Sequence, residues 1–140
     1  MPELIDTTHT HRIELAGQVM ATQGICRFCG CDRHNRCTLG DGNPCGRIDQ
    51  RHTICTNPIC RLHYQALMKP ALEAMISNRC AGSCGGSYKS VRQVLCRRCW
   101  EQLPWVMGGG LYAPMDRGLA CYYTEALEFL KLAQKEEEMQ

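Results

Sequence analysis

Seven cysteines lie close together in this 140-residue sequence, and they are its most distinctive chemical feature. The stretch that contains them has no apolar run long enough to form a hydrophobic core, so another interaction must hold it together. Thiolates at short spacings are typical ligands of structural Zn²⁺. The sequence therefore predicts a metal-nucleated module built on Cys26, Cys29, Cys31, Cys37, Cys45, Cys55 and Cys60.

Two cysteine pairs predict the first metal site. Cys26 and Cys29 are separated by two residues, and a glycine follows at the position where a zinc knuckle needs positive φ. Cys55 and Cys60 form the second pair, and the apolar pattern after them predicts a helix from about 61 to 77. Helix N-termini stabilise thiolates through free N–H groups. We expect these four cysteines to bind one ion in a treble-clef arrangement.

Three further cysteines lie between the two pairs. Cys31, Cys37 and Cys45, with one imidazole, would complete a second tetrahedral site. The sequence leaves open whether His34 or His52 supplies that imidazole. The two sites can also exchange ligands, because the second cysteine of the first pair is next but one to Cys31. The alternative is that some of these thiols are buried as small apolar groups.

A second module repeats this design. Cys80 and Cys84 are followed by two glycines, and Cys96 and Cys99 stand at the start of a predicted helix. The residues between the pairs, 88–95, are expected to form a short strand or hairpin. This spacing of two cysteine pairs is a strong zinc signal. The chain is therefore expected to bind two or three Zn²⁺.

The N-terminus and the apolar content indicate where the protein functions. The sequence starts without a basic segment followed by an apolar one, so no secretory signal is predicted, and its longest uncharged stretch is broken by proline and glycine. We therefore expect a cytoplasmic protein without a membrane partner. In a reducing compartment, clustered cysteines bind metal more often than they form disulfides. A disulfide framework and an iron–sulfur cluster are the alternatives to zinc.

Charge is distributed unevenly along the chain. Residues 1–100 contain 13 basic and 7 acidic residues, whereas residues 101–140 contain 3 and 7. A basic zinc module suits an anionic partner such as nucleic acid, although the same charges could serve only solubility. The candidate nucleic-acid-binding residues are Arg27, Arg33, Arg36, Arg47, Arg51 and Arg61 around the first module and Lys89, Arg92, Arg97 and Arg98 around the second.

The predicted fold class is a small metal-stabilised α+β protein with two treble-clef or zinc-ribbon-like modules and a C-terminal amphipathic helix. Residues 1–24 are expected to form a tail and a short helix. The first zinc module covers 25–78 and the second covers 79–107. Residues 108–140 are predicted to contain a glycine hinge, a helix from about 115 to 135 and an acidic tail. The apolar stripe of this helix is expected to dock on the modules, which is the more common arrangement, and the alternative is pairing with a second copy of the chain.

The pattern CRFCGC, together with LCRRCWEQLPW near the second module, resembles a group of small cysteine-rich zinc proteins encoded by phages and prophages. In this sequence the second pattern lies on Cys96, Cys99, Trp100, Leu103 and Pro104. The resemblance covers about two-thirds of the chain. It implies zinc binding and a phage or bacterial cytoplasmic setting, and it does not imply a reaction.

These observations predict a non-enzymatic zinc-binding regulatory protein that binds nucleic acid or the transcription machinery. The alternative is an adaptor or inhibitor that binds a host protein, because an amphipathic terminal helix also suits a protein partner. A treble-clef nuclease of the His-metal type is a minor alternative. The residues available to it lack the usual adjacent Asp-His pair, and they are Asp49, His52, Asn57 and His63.

Overall fold

The computed structural model describes residues 7–139, and most regular structure in that range is helical. Two short 3₁₀ turns precede the last helix, at Gly109–Tyr112 and Met115–Arg117. Pairing in the described range is limited to isolated β-bridges, such as Thr38 with Pro44 and Arg79 with Tyr88. The prediction of a small mixed fold with cysteine clusters is thereby confirmed at this coarse level. The helices are α1 (Thr7–Val19), α2 (Pro58–Ile76), α3 (Arg97–Glu101), α4 (Trp105–Gly108) and α5 (Leu119–Glu138).

Helix α2 begins earlier than the sequence pattern predicted. The side chain of Asn57 accepts a hydrogen bond from the backbone N–H of Ile59 at 2.9 Å, and Pro58 occupies the first helical position. Both features are typical of helix starts, because they satisfy or remove backbone donors that have no partner in the helix. The helix therefore contains Cys60 within its first turn and continues through Pro70 to Ile76.

Helix α5 lies at the centre of the fold. Its apolar face, which includes Cys121, Phe129 and Leu130, is fully buried against α1, α2 and the second cysteine module. The predicted docking of this helix is therefore confirmed, and Cys121 is a buried core residue as expected. The helix begins after Gly118, whose φ of 105° suits glycine, and it extends to Glu138 rather than ending near residue 135.

Two local predictions differ from the structure. The predicted glycine hinge at 108–110 is a pair of short helical turns, in which a Cβ on Gly110 would lie 2.9 Å from the ring of Tyr122. Gly110 therefore allows close packing against Tyr122, whereas the space at the Cβ position of Gly109 is open. The predicted strand or hairpin at 88–95 retains only the bridge at Tyr88, because Arg92 has a φ of 86° and directs the chain into a turn.

The hydroxyl of Tyr64 joins α2 to the start of α5. It donates a hydrogen bond to the backbone carbonyl of Met115 and accepts from the N–H groups of Gly118 at 3.1 Å and Ala120 at 3.2 Å. These hydrogen bonds hold α2, the helix of the first cysteine module, against the start of the central helix α5. None of the helices in residues 7–139 has the length and apolar content needed to cross a bilayer.

Candidate metal centres

The structure brings cysteines together in three tetrads, in each of which the Sγ atoms lie within 4.8 Å of one another. Two of these tetrads are in the first module and overlap, and the third is in the second module. The distances suit a tetrahedral metal, because a Zn–S bond of about 2.3 Å places the sulfurs of one site about 3.8 Å apart. The tetrads are Cys26–Cys29–Cys55–Cys60, Cys29–Cys31–Cys37–Cys55 and Cys80–Cys84–Cys96–Cys99.

The first tetrad is formed by the predicted knuckle, by Cys55 shortly before α2 and by Cys60 in the first turn of α2. The Sγ atoms of Cys26 and Cys60 are 3.7 Å apart. The knuckle is closed by a hydrogen bond of 2.9 Å from Gly30 N–H to the Cys26 carbonyl, and Gly30 has the predicted positive φ of 79°. These four cysteines are the group that the sequence predicted.

The second tetrad differs from the prediction in its composition. It takes Cys31 and Cys37 as expected, but it completes the set with Cys29 and Cys55, which also belong to the first tetrad. Neither His34 nor His52 is part of any tetrad in residues 7–139, and both side chains are exposed. An imidazole ligand in the first module therefore remains a prediction without support from this geometry.

Cys45 lies beside the second tetrad and outside it. Its Sγ atom is buried and is 3.7 Å from that of Cys31. The guanidinium of Arg47 donates to the Sγ atoms of Cys31 at 3.2 Å and Cys45 at 3.6 Å, and to the Cys31 carbonyl at 3.0 Å. Arg47 is thus held against the sulfur cluster, where a positive charge stabilises thiolate.

The pKa values of the first module show why a cation suits it. Burial acts to raise the pKa of Cys31, but hydrogen bonds from Arg47, from neighbouring thiols and from the Cys37 backbone together lower it to about 6. Burial also acts to raise the pKa of Cys26, but hydrogen bonds from backbone N–H groups, including those of the knuckle, lower it to about 7. Burial raises the pKa of Cys29 to about 11. Full deprotonation of this cluster therefore requires added positive charge, which a divalent metal supplies.

The second module forms its tetrad around the start of α3. The Sγ of Cys80 accepts hydrogen bonds from the N–H groups of Gly82 at 3.3 Å and Cys96 at 3.2 Å. The Sγ of Cys96 lies 3.7 Å from that of Cys84. Burial acts to raise the pKa of Cys84, but hydrogen bonds, those from Ser87 first among them, lower it to about 6. The four predicted residues are thus brought together as donors suited to a soft divalent ion.

Gly82 is expected to be essential for this second tetrad. A Cβ at position 82 would lie 2.7 Å from the Sγ of Cys99 and 3.2 Å from Leu130. A thiolate bound to metal cannot move aside freely, so we expect Gly82→Ala to cost the chain one metal ion and to lower its melting temperature. The measurement is metal content per chain after dialysis, together with thermal unfolding.

Gly17→Ala is the matched control for that substitution. Gly17 lies in α1, and the space that a Cβ would occupy there is open, so alanine should be neutral or stabilising by about 0.5–1 kcal/mol. Equal metal content in the two variants would contradict the role assigned to Gly82.

Glu125 joins the first module to α5, and sequence reasoning missed it because a charged residue in an amphipathic helix is usually exposed. Its side chain is 6% exposed and accepts from Arg27 at 3.1 Å and from Arg51 at 3.3 Å. The same carboxylate accepts from the backbone N–H of Ala21 at 2.7 Å. Arg27 also donates to Thr53, and Arg51 to the Ala21 carbonyl. Through these contacts, the buried carboxylate of Glu125 connects α5 both to the segment after α1 and to the first module.

The candidate nucleic-acid-binding residues fall into two groups. Arg27, Arg47, Arg51 and Lys89 make internal contacts, and the ammonium of Lys89 donates to backbone carbonyls, with a pKa that burial lowers. The others have exposed side chains, and Arg97 pairs with Glu101 at 2.8 Å on the surface of α3. The exposed residues are Arg33, Arg36, Arg61, Arg92, Arg97 and Arg98.

Three of the residues considered for a nuclease have structural contacts instead. Asp49 is buried and accepts from the N–H groups of Thr53 and Ile54 and from the hydroxyl of Tyr122. Asn57 caps α2, as described above. The ring of His63 stacks on Phe28 with centroids 5.5 Å apart. These contacts give each of the three side chains a structural role, and the nuclease stays the minor alternative that the sequence predicts.

Comparisons with known proteins give no further assignment: the chain matches no family model, no curated protein and no solved structure.

Proposed function

We propose that this chain is a non-enzymatic zinc-binding protein whose cysteine modules position the residues of a groove that binds nucleic acid. The three tetrads support the zinc part, because all-sulfur donor sets at these distances suit structural Zn²⁺. We further propose a regulatory role in a phage or bacterial cytoplasm, acting on nucleic acid or on a transcription complex. The resemblance to phage cysteine-rich proteins supports that setting.

The observation that carries the nucleic-acid proposal is a pair of open cavities on either side of Tyr112. The ring of Tyr112 lines both cavities, and the residue is 79% exposed. The first cavity, of about 600 Å³, is lined by Arg92, Arg97 and Trp100. The second, of about 670 Å³, is lined by basic side chains of the first module and by Arg117. We call this continuous surface the Tyr112 groove.

Charge favours an anion in the Tyr112 groove. Its lining includes five arginines and one histidine but only two carboxylates. Arg47 contacts the sulfur cluster, Arg51 pairs with Glu125 and Arg97 pairs with Glu101, so Arg92 and Arg117 are the arginines that we expect to contact an anion. Glu101 pairs with Arg97, and Asp49 is buried and saturated by hydrogen bonds. The second module as a whole, residues 79–107, contains five basic residues and one acidic residue. A tetrathiolate zinc site would offset two of these positive charges and leave the surface basic.

An unpaired base stacked on Tyr112 fits this arrangement. Proteins that bind single strands combine a positive groove with exposed aromatic rings, because every base has a face that can stack. In the Tyr112 groove the flanking phosphates would contact Arg92 on one side and Arg117 on the other. The Trp100 ring packs edge-on against the Tyr112 ring, and the two ring centroids are 5.8 Å apart.

Binding of a labelled single-stranded oligonucleotide tests this proposal. Tyr112→Ala should weaken binding by roughly 5- to 150-fold, which is the usual range for a stacking aromatic. The double variant Arg92→Ala/Arg117→Ala should flatten the dependence of log affinity on log salt by about 0.7 for each arginine. Fluorescence anisotropy at several salt concentrations measures both effects.

Lys69→Ala/Lys131→Ala is the matched control, because both side chains are exposed outside the Tyr112 groove and the charge change is the same. It should leave the affinity within about twofold of the original protein, as expected for distant surface charges. Equal weakening by the two double variants would mean that binding is not located at the groove. Absence of any oligonucleotide binding would exclude the proposal.

A protein-binding adaptor is the second candidate, and the exposed face of α2 favours it. Ile59, Leu62 and Ile76 are 64–74% exposed on this helix. Exposed apolar side chains along one helix are typical of grooves and surfaces that bind partner proteins. Co-purification of a host protein that survives nuclease treatment and is lost in Leu62→Glu would favour the adaptor over the nucleic-acid protein.

A further inference from the structure

We propose that the first module holds two metal ions as one binuclear centre, in which the thiolates of Cys29 and Cys55 bridge both ions. The proposal rests on the zinc part of the proposed function and is independent of nucleic-acid binding. Its basis is the overlap of the two tetrads of the first module, because both contain Cys29 and Cys55. Two separate mononuclear sites would have no common donor.

The distances place the bridging pair at a shared edge. The Sγ atoms of Cys29 and Cys55 are 3.7 Å apart, close to the edge of about 3.8 Å expected for a tetrahedral zinc–sulfur site. On one side, Cys26 and Cys60 complete the first tetrahedron. On the other side, the second tetrahedron is completed by Cys31 and Cys37, and the Sγ of Cys37 is 3.5 Å from that of Cys29.

The number of donors also requires sharing. Two separate tetrahedral sites need eight ligands, whereas the Cys26–Cys60 stretch contains seven thiols. No histidine joins either tetrad in residues 7–139. Two ions can therefore each have four sulfur ligands in this module only if at least one thiolate serves both.

Charge explains why sharing is favourable in a buried cluster. Two separate tetrathiolate zinc sites would each carry two negative charges, whereas six thiolates around two Zn²⁺ leave two negative charges in total. Most of these sulfurs are buried, and buried charge is costly unless it is compensated. Arg47 compensates part of what remains, since its guanidinium lies on the Sγ of Cys31.

Cys45 is assigned a supporting position rather than a ligand position. Its Sγ contacts that of Cys31 but belongs to neither tetrad, and it accepts a hydrogen bond from Arg47. The seventh thiol therefore positions the arginine that compensates the cluster. This leaves six ligands, four terminal and two bridging.

Cadmium-113 NMR of the full chain, with ¹¹³Cd²⁺ replacing the native metal, tests the proposal. Cd²⁺ accepts the same thiolate ligands, and two cadmium nuclei that share a sulfur show scalar coupling through it. We expect three resonances of tetrathiolate sites, two of them coupled to each other. The third belongs to the Cys80–Cys99 tetrad and is an internal control, because it has no neighbouring ion.

Two variants locate the bridge. Cys29→Ser should shift or abolish both coupled resonances and leave the third in place, which also shows that the rest of the chain is folded. Cys45→Ser should keep three resonances and the coupling. Three uncoupled resonances, or the loss of a resonance in Cys45→Ser, would overturn the edge-sharing centre. Failure to bind cadmium at all would instead refute the zinc part of the proposed function.

Discussion

Chelation of the bound metal is expected to unfold both cysteine modules and to remove the cooperative thermal transition of the whole chain. Binding of structural Zn²⁺ contributes roughly 10–16 kcal/mol in small zinc-finger peptides, which is comparable to the total stability of an ordinary domain. In this fold Cys80, Cys96 and Cys99 also belong to the same core cluster as α5. Loss of metal should therefore disrupt the helical core as well as the loops.

Far-UV circular dichroism and tryptophan fluorescence during titration with a chelator measure this effect. Trp100 follows Cys99 directly in α3, so its emission should shift to the red as the second module opens. Addition of Zn²⁺ after removal of the chelator should restore both signals under reducing conditions. Unchanged dichroism and an unchanged melting temperature in a metal-free sample would contradict this prediction.

Glu125→Ala should have the second largest effect and should destabilise the fold by about 3–5 kcal/mol. The substitution leaves two guanidiniums, those of Arg27 and Arg51, in a largely buried site without their carboxylate. Removal of one partner from a buried charge cluster typically costs this much, because the remaining charges have lost their compensation. Urea unfolding of the metal-loaded protein measures the change in the free energy of unfolding.

Glu128→Ala is the control, because it removes the same charge from an exposed position of the same helix. Its effect should stay within about 0.5 kcal/mol, which is usual for a surface substitution. Glu125→Gln should lie between the two, since it removes the charge but keeps acceptor capacity. Similar stability of Glu125→Ala and Glu128→Ala would show that the cluster does not fasten the first module to α5.

The cysteine tetrads of the knuckles could be predicted from sequence because their ligands are close in the chain and obey known spacings. Cys26 with Cys29, and Cys96 with Cys99, are separated by two residues, and local backbone geometry alone brings them together. The docking of α5 was also predictable, because its apolar face is visible in the periodicity. Both features follow from patterns that are local in the sequence, namely the spacing of cysteines and the helical periodicity of apolar residues.

The ligands of the second tetrad could not be predicted in the same way. Cys29 and Cys55 are assigned to the first site by their spacing, and no spacing rule indicates that their Sγ atoms, 3.7 Å apart, also lie within reach of Cys31 and Cys37. An imidazole was expected because three loop cysteines lack a fourth thiol when each site is counted separately. A thiolate that serves two metal sites leaves no signal in the spacing of cysteines along the sequence.

The burial of Glu125 and the close packing of Gly110 could not be predicted from the sequence for a similar reason. A glutamate in a helix is assigned to the solvent face by pattern, but here two arginines from distant loops neutralise it in the interior. Consecutive glycines resemble a hinge in sequence, whereas the Tyr122 ring requires the small size of Gly110. In both cases the deciding partner lies elsewhere in the chain.

The metal count of the intact chain, measured by native mass spectrometry on protein purified under reducing conditions, tests the central claim most directly. The account predicts a dominant species with three zinc ions per chain, two in the Cys26–Cys60 module and one in the Cys80–Cys99 tetrad. Cys80→Ser should reduce the count by one. A dominant species with no zinc, with iron, or with disulfide-bonded cysteines in place of metal would contradict it.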